Sequence, residues 1–247
     1  MNIQNNWWKE FFSGEYVDVV LTTDAKPICA LMQQVGTLKN GMRAYDQCCG
    51  KGTLSHALAE CGLTVYGCDL SEPLISIANG SNIENCHLSL NDANTYQCEH
   101  QVDWAINWNT SFGYSEEDAE NMKMLHNLSE NLCDGGQFLI CTMNPLFVHR
   151  HFQRFIVKQV PYQDSTIITI RESFIENEFL KSEWTIIYPD GKRLYRHGKT
   201  KMYSLEQLTG MLASQNMQVE KSFGDVLMAE YDCNHPNLIV YGHKRNH

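Results

Sequence analysis

A chain of 247 residues that is 43% hydrophobic and only 19% charged carries enough apolar material for a full core and too little charge to stay unfolded in water. No window approaches the ~18 unbroken apolar residues of a membrane-spanning helix, so no membrane partner is expected. The formal net charge of −10 argues against a nucleic-acid partner, because backbone binding needs Lys and Arg to neutralise phosphates. The one basic run, Lys192–His197, is the sole candidate for a local nucleic-acid patch, and a solvated hairpin face explains it about as well. Met1–Asn6 lacks the basic residues and apolar stretch of a secretory leader, which predicts a cytoplasmic address. The ten cysteines include no C-x-x-C pair and fall mostly inside apolar runs; they read as reduced thiols packing like small hydrophobes, with no metal site expected.

Residues 1–40 read as a helical cap, with Trp7, Trp8, Phe11 and Phe12 on one face of a first helix and a second helix over 25–35. Strand and helix then alternate. A strand at 44–48 enters the turn Cys49-Gly50-Lys51-Gly52, a helix runs from Thr53 to Cys61, and Gly62 stops it. A second strand covers 64–69, and Ser71 caps the next helix with Pro73 in its first turn. Strands follow at 86–90 and 102–107. Ser115 and Asp118 read as a capping box opening a helix to about Leu132, and Asp134-Gly135-Gly136 turns into a fifth strand, 137–142. Such repeats imply a parallel sheet with helices on both faces. After Asn144-Pro145, three β-rich runs (165–174, 179–188, 193–203) read as an inserted antiparallel lid, with a turn at Pro189-Asp190-Gly191. A helix capped by Ser204 and Gln207 and two strands (217–223, 237–242) complete an expected single domain: cap 1–40, core 41–144, lid 145–203, final helix and strands 204–247.

In a doubly wound sheet the ligand lies beyond the carboxyl ends of the strands, where strand order reverses. Asp46-Gln47-Cys48-Cys49-Gly50-Lys51-Gly52 stands there, with glycines where backbone approaches a ligand and a helix amino end behind it. Asp69, 19 residues after Gly50, ends the second strand, where a carboxylate can accept both ribose hydroxyls of an adenosine-containing cofactor. A dinucleotide fingerprint wants G-x-G-x-x-G, and this turn reads Gly50-x-Gly52-x-x-Ser55. Asp46 is also unwelcome beside a pyrophosphate and better suited to a ligand with an amino group.

The run Asp46-x-Cys48-Cys49-Gly50-x-Gly52, then Gly67-x-Asp69-Leu70-Ser71, resembles the first motifs of class I S-adenosylmethionine-dependent methyltransferases. Asn91-Asp92-Ala93, Asn107–Tyr114, Leu132-Cys133-Asp134-Gly135-Gly136, Trp7–Phe12 and Met202–Leu208 resemble, in order, further elements of the small-molecule branch. The resemblance implies a doubly wound, mostly parallel seven-stranded sheet with helices on both faces and an inserted antiparallel β lid after the fifth strand. It implies S-adenosylmethionine as cofactor, contacted by Trp8, Tyr16, Asp46, Cys48, Cys49, Gly50, Gly52, Asp69, Leu70, Asp92, Ala93, Asn107 and Trp108, with Asp92 meeting the adenine amino group. Cys48 replaces the first glycine of the usual motif, and Lys201 and Asn237 stand where similar sequences often hold arginine.

The activity so implied is methyl transfer to N, O or C of a small-molecule partner, with Thr110, Phe112 and Tyr114 as substrate contacts and His149, His151 or Tyr203 as general base where one is needed. Bland readings stand beside these: Asp92 as a turn residue, Trp108, Phe112 and Tyr114 as core, the Trp7/Trp8 face as helix packing, and both histidines as solvated. Asn144-Pro145-Leu146-Phe147 resembles the N-P-P-Y/F signature of amino-group methyltransferases, but it follows the fifth strand and lacks the second proline. A nicotinamide-dependent oxidoreductase and a non-catalytic methyltransferase-like binding subunit are the alternatives. The acceptor is not legible, and the aromatic first helix either covers the cofactor or joins a second copy in a homo-oligomer.

Overall fold

A computed structural model of the chain describes residues 7–13 and 24–246; the expected contact Tyr16 lies outside them. Two helices, α1 (Trp7–Phe11) and α2 (Lys26–Val35), precede an alternating series. The series runs β1 (Arg43–Gln47), α3 (Thr53–Glu60), β2 (Thr64–Asp69), α4 (Glu72–Gly80), β3 (Cys86–Leu90), β4 (Val102–Asn107), α5 (Asp118–Asn131) and β5 (Leu132–Met143). A second sheet intervenes: after α6 (Pro145–Arg150) come β6 (Phe155–Tyr162), β7 (Ser165–Glu176), β8 (Phe179–Ile187) and β9 (Arg193–Lys201). Then α7 (Leu205–Ala213), β10 (Met217–Phe223) and β11 (Asn237–Lys244) complete the large sheet. Its order is β10-β11-β5-β4-β1-β2-β3; β3, β2, β1, β4 and β5 are parallel, while β11 and β10 are antiparallel to their neighbours.

Period-two alternation divides the core. Ala44, Val65, Trp104, Ile106, Leu139, Cys141, Ile239 and Tyr241 face one way and are covered by α2 and α3 through Ile28, Leu31, Met32, Leu54 and Leu58. Tyr45, Tyr66, Cys68, Ala105, Phe138, Ile140, Leu238 and Val240 face the other way, under α5 and α7 through Leu125, Leu128, Leu208 and Leu212. Strands buried on both faces explain why their sequences read as continuous apolar runs. The order reverses between β1 and β4, so the turn after β1 stands at the crevice.

Local capping corrects part of the sequence reading. The Ser204–Gln207 capping box is present, whereas Ser115 does not cap α5, which begins at Asp118 behind Glu117 without a side-chain cap. The Asp118 carboxylate instead accepts from Lys201 Nζ at 2.7 Å and Tyr203 Oη at 2.6 Å. Ser71 holds the N-cap position of α4 but donates its hydroxyl to the Phe12 carbonyl at 2.7 Å. The fifth strand starts at Leu132 rather than 137; Leu132 pairs with Val102 and Gln137 with Trp104, so Asp134-Gly135-Gly136 is an irregularity inside the strand. The inserted sheet has four strands, not three. The additional one, β6, is an edge strand bearing Pro161 and mostly exposed side chains, which erases the alternation a sequence pattern needs.

The inserted sheet packs on α1: Ile167, Ile186 and Tyr188 surround Trp7 and Phe11, and Gly198 of β9 leaves room for the indole, since a Cβ there would lie 3.2 Å from the Trp7 ring. Two bonds lock its base to the large sheet. The Lys201 amide donates to the Gly113 carbonyl at 2.7 Å, and Lys201 Nζ, 8% exposed on its residue, reaches Asp118. Gly113 has φ +94°, and a Cβ on it would stand 2.5 Å from the Lys201 carbonyl oxygen. Gly113→Ala is therefore expected to cost about 1–3 kcal/mol in denaturant unfolding, from left-handed strain plus the clash; an unchanged midpoint would show that the joint does not constrain the loop.

Candidate active site

The turn after β1 is built from left-handed residues, with Cys48 at φ 61°, Gly50 at 56° and Gly52 at 74°. Cys48 takes without glycine's freedom the conformation that glycine supplies in similar motifs. The Cys49 amide donates to the Cys68 carbonyl at 3.0 Å, which registers the turn on β2. Asp69 then closes it: one carboxylate oxygen accepts from the Gly50 amide at 3.0 Å, the other from the Ser71 amide at 2.8 Å. Asp46, 3% exposed, accepts from the Ser55 hydroxyl at 2.6 Å. Ser55 occupies the place of a dinucleotide fingerprint's third glycine, and its task here is to hold Asp46.

Beside these acids a buried amide ladder joins the strand ends. Gln47 Nε2 donates to the carbonyls of Ala93 and Met124, each at 3.0 Å, and Asn107 Nδ2 donates to Gln47 Oε1 at 3.0 Å. Asn107 is 1% exposed and its Oδ1 has no donor among the described residues. Open space lies where a Cβ on Gly50 would stand. Adjacent strand ends thus offer room and an unfilled acceptor. Asp92 accepts from the Asn94 amide at 2.9 Å in the turn after β3, with Ala93 buried beside it and Leu70 exposed.

Burial dominates the electrostatics. It raises Asp46 to about 7, against the lowering bond from Ser55, with the nearby Asp69 charge adding to the rise. Asp69 is raised by burial too, opposed by the amides of Ser71, Gly50 and Leu70. Burial, then neighbouring carboxylates, pushes Cys48 and Cys49 up, and Cys68 rises to about 12, so these thiols are held protonated. A pocket walled by two carboxylates suits a ligand that carries positive charge.

The remaining expected contacts divide. Trp8, Phe12 and Tyr114 come together over the carboxyl edge: Trp8 stacks on Tyr114 at 6.1 Å, Phe12 on Tyr114 at 6.3 Å, and Trp7 Nε1 donates to the Tyr114 carbonyl at 3.4 Å. Thr110 is half-buried at φ 59°, its amide on the Cys141 carbonyl. Phe112 is fully buried against Tyr203 at 5.2 Å, and Trp108 is buried with the α2 face, so both pack the core. Tyr203 donates to Asp118 and accepts from Asn121; burial and Asp118 raise it well above an ordinary phenol, a proton donor rather than an acceptor. His149 and His151 are exposed on and just after α6, His151 against Phe147 at 4.5 Å. Asn144 caps α6 by accepting from the amides of Leu146 and Phe147, which gives Asn144-Pro145 a structural duty. Gln47, Ser55 and Ser71 were missed as site residues; Ser55 alone carried a signal, as the departure from the glycine fingerprint.

A sheet of this order with paired acids at the ends of β1 and β2 and a β insertion after β5 defines a class I methyltransferase fold. Residues 44–136 match the family model described as "Methyltransferase domain". The fold extends over nearly the whole chain in solved structures of low identity. The CcbJ methyltransferase from Streptomyces caelestis is 14% identical with a TM-score of 0.78, covering 93% of this chain and 92% of that one. CalS10, an amino pentose methyltransferase from Micromonospora echinaspora solved with S-adenosylmethionine, is 14% identical with a TM-score of 0.71 over 93% and 94%. The sugar N-methyltransferase KedS8 from Streptoalloteichus sp ATCC 53650 is 15% identical with a TM-score of 0.69 over 90% and 87%. No curated protein matches the chain in sequence.

The raised Asp46 makes stability depend on pH. Its folded value of about 7 lies above the 3.8 of an unperturbed carboxyl, so its contribution is full below pH ~4 and lost as pH rises through 7. Asp46→Asn, neutral throughout, is expected to gain melting temperature relative to the parent at pH 8.5 and not at pH 4; an equal difference at both would show that Asp46 does not titrate in this range.

Proposed function

We propose that the chain moves a methyl group from S-adenosylmethionine to a nitrogen of a small-molecule acceptor. The observation that carries the reading is the pair Asp46 and Asp69 bracketing a left-handed turn whose amide Asp69 itself holds. Asp69 keeps free lone pairs on both oxygens beyond its two amide bonds and takes the ribose hydroxyls. Asp92 and the Ala93 amide take the adenine edge. Asp46, with the unfilled Asn107 Oδ1, lies where the amino group of the methionine part finds an acceptor. The acids favour a ligand with positive charge, as the class requires, and Ser55 in place of a third glycine disfavours the nicotinamide reading.

When bound, S-adenosylmethionine supplies a methyl on a positively charged sulfur, so the protein need provide no electrophile. The chain's task is then placement, and holding reactants at near-attack distance removes ~7–11 kcal/mol of a bimolecular barrier. Trp8, Phe12 and Tyr114 exclude water from the carboxyl edge and present aromatic faces, which tolerate cations.

Nitrogen is favoured because the phenol and thiols that could otherwise serve as a base are held protonated. Tyr203 donates to Asp118, and Cys48, Cys49 and Cys68 are raised by burial. A neutral amine attacks without a base and sheds its proton afterwards to water. Of the similar folds, KedS8 is described as a sugar N-methyltransferase, which supports the same acceptor atom here.

The reading is tested by titrating S-adenosylhomocysteine calorimetrically. Asp69→Asn removes a charged acceptor of two hydrogen bonds, each worth ~1.5 kcal/mol or more, and is expected to weaken binding by about 100-fold with the fold intact. Unchanged affinity, or no affinity in the parent chain, overturns the assignment.

A further inference from the structure

Arg171 of β7, Trp184 of β8 and Arg196 of β9 are directly paired in register, on the face of the inserted sheet that packs on α1. Arg171 Cζ stands 5.5 Å from the centre of the Trp184 ring. Arg196 donates Nη1 to the Tyr195 carbonyl at 2.9 Å and Nη2 to the Ser13 carbonyl at 3.5 Å; both acceptors are neutral, and its buried Nε has no acceptor among the described residues. The next pair on the same face, Ser173 and Ser182, is uncharged, their hydroxyls 3.2 Å apart. The acids of these strands fall on the opposite face by alternation: Glu172 is bound there by Arg154, and Glu183 is exposed. Among the described residues of these three strands, the acids therefore lie on the face opposite Arg196.

Its position relates it to the crevice. Ser13, which Arg196 holds, follows Phe12, whose carbonyl is held by Ser71, whose amide is held by Asp69. Arg196 is thus connected to the proposed ribose carboxylate through three hydrogen bonds, on the roof rather than the floor. A partly buried guanidinium whose contacts are a stretched bond and a neutral carbonyl gains most from a ligand anion, which accepts charge-assisted bonds in the fork geometry.

Resting on the methyltransferase reading above, we propose that the methyl acceptor carries an anionic group, a carboxylate or a phosphate, and that Arg196 binds it from the inserted sheet. The residue selects the substrate; the floor of the crevice holds the cofactor.

The test uses the full chain saturated with S-adenosylhomocysteine and titrated with sodium phosphate or sodium acetate at constant ionic strength, followed by tryptophan fluorescence. At least one anion is expected to give a saturable change, phosphate alone indicating a phosphorylated acceptor and acetate alone a carboxylated one. Arg196→Gln is expected to weaken that binding at least tenfold, Arg196→Lys to recover part of it, and Arg193→Gln, on the outer face of the same strand, to leave it unchanged, all with nucleoside affinity within twofold of the parent. The proposal is overturned if neither anion saturates the parent, if Arg196→Gln binds as the parent does, or if Arg196→Gln weakens the nucleoside as much as the anion, which would give the guanidinium to the cofactor's own carboxylate. Should the parent fail to bind the nucleoside, the methyltransferase reading falls, and the same titrations on the nucleoside-free chain still decide whether Arg196 is an anion site.

Discussion

The arrangement depends on the Asp69 carboxylate. With one oxygen on the Gly50 amide and the other on the Ser71 amide, it fastens the turn after β1 to the end of β2, so two strand ends become one rigid rim. The turn needs the restraint. Three of its residues are left-handed, one of them a cysteine, and a backbone so bent persists only where its surroundings hold it. Hydrogen bonding to a partly buried carboxylate is a strong way to do this, and it leaves the acid ionisable and oriented. Asp46, held by Ser55, sets the opposite wall.

From the same rim the bonds continue upward. Ser71 gives its hydroxyl to Phe12, and Phe12 and Trp8 stack about Tyr114, which belongs to the loop after β4. That loop is in turn fixed to β9 through Gly113 and Lys201. The Lys201 ammonium loses by burial but gains more from Asp118 and Glu178, which keep it charged; Asp118 is lowered by the same bond and by Tyr203. The inserted sheet is therefore joined to the carboxyl edge of the large sheet by an ion pair at its base and by an aromatic cluster along α1. The turn after β1, the loop after β4 and the inserted sheet share one framework.

Much of the fold was legible because its signals are local and repeated. The alternation of Ala44 with Tyr45 and of Trp104 with Ala105, the glycines at 50 and 52, and the box at Ser204 and Gln207 each report a neighbour-level constraint. The misreadings have a common origin in tertiary demand. Asp118 looked like the second half of a capping box, but its carboxylate is taken by Lys201 and Tyr203, 83 and 85 positions away. Ser71 looked like a cap and is spent on Phe12. The strand β6 was missed because an edge strand with a proline buries too little to print a pattern. Of the residues expected at the site, Asp46, Asp69 and the glycine turn stand together at the strand ends, as their spacing implied. Phe112 and Tyr203 were not separable from core residues, since an aromatic beside a site and one beneath it look alike in sequence. Arg196 was hidden for the opposite reason: in a basic hairpin run, nothing local says that it points inward.

The linkage from turn to rim to roof is most directly tested by hydrogen–deuterium exchange with and without S-adenosylhomocysteine. If one framework holds the nucleoside, peptides covering 46–52, 69–72, 7–13 and 107–114 gain protection together on saturation, while the outer strand β6 is unaffected. Protection confined to the turn would contradict the coupling to the roof, and its absence from 46–52 and 69–72 would contradict the cofactor site itself.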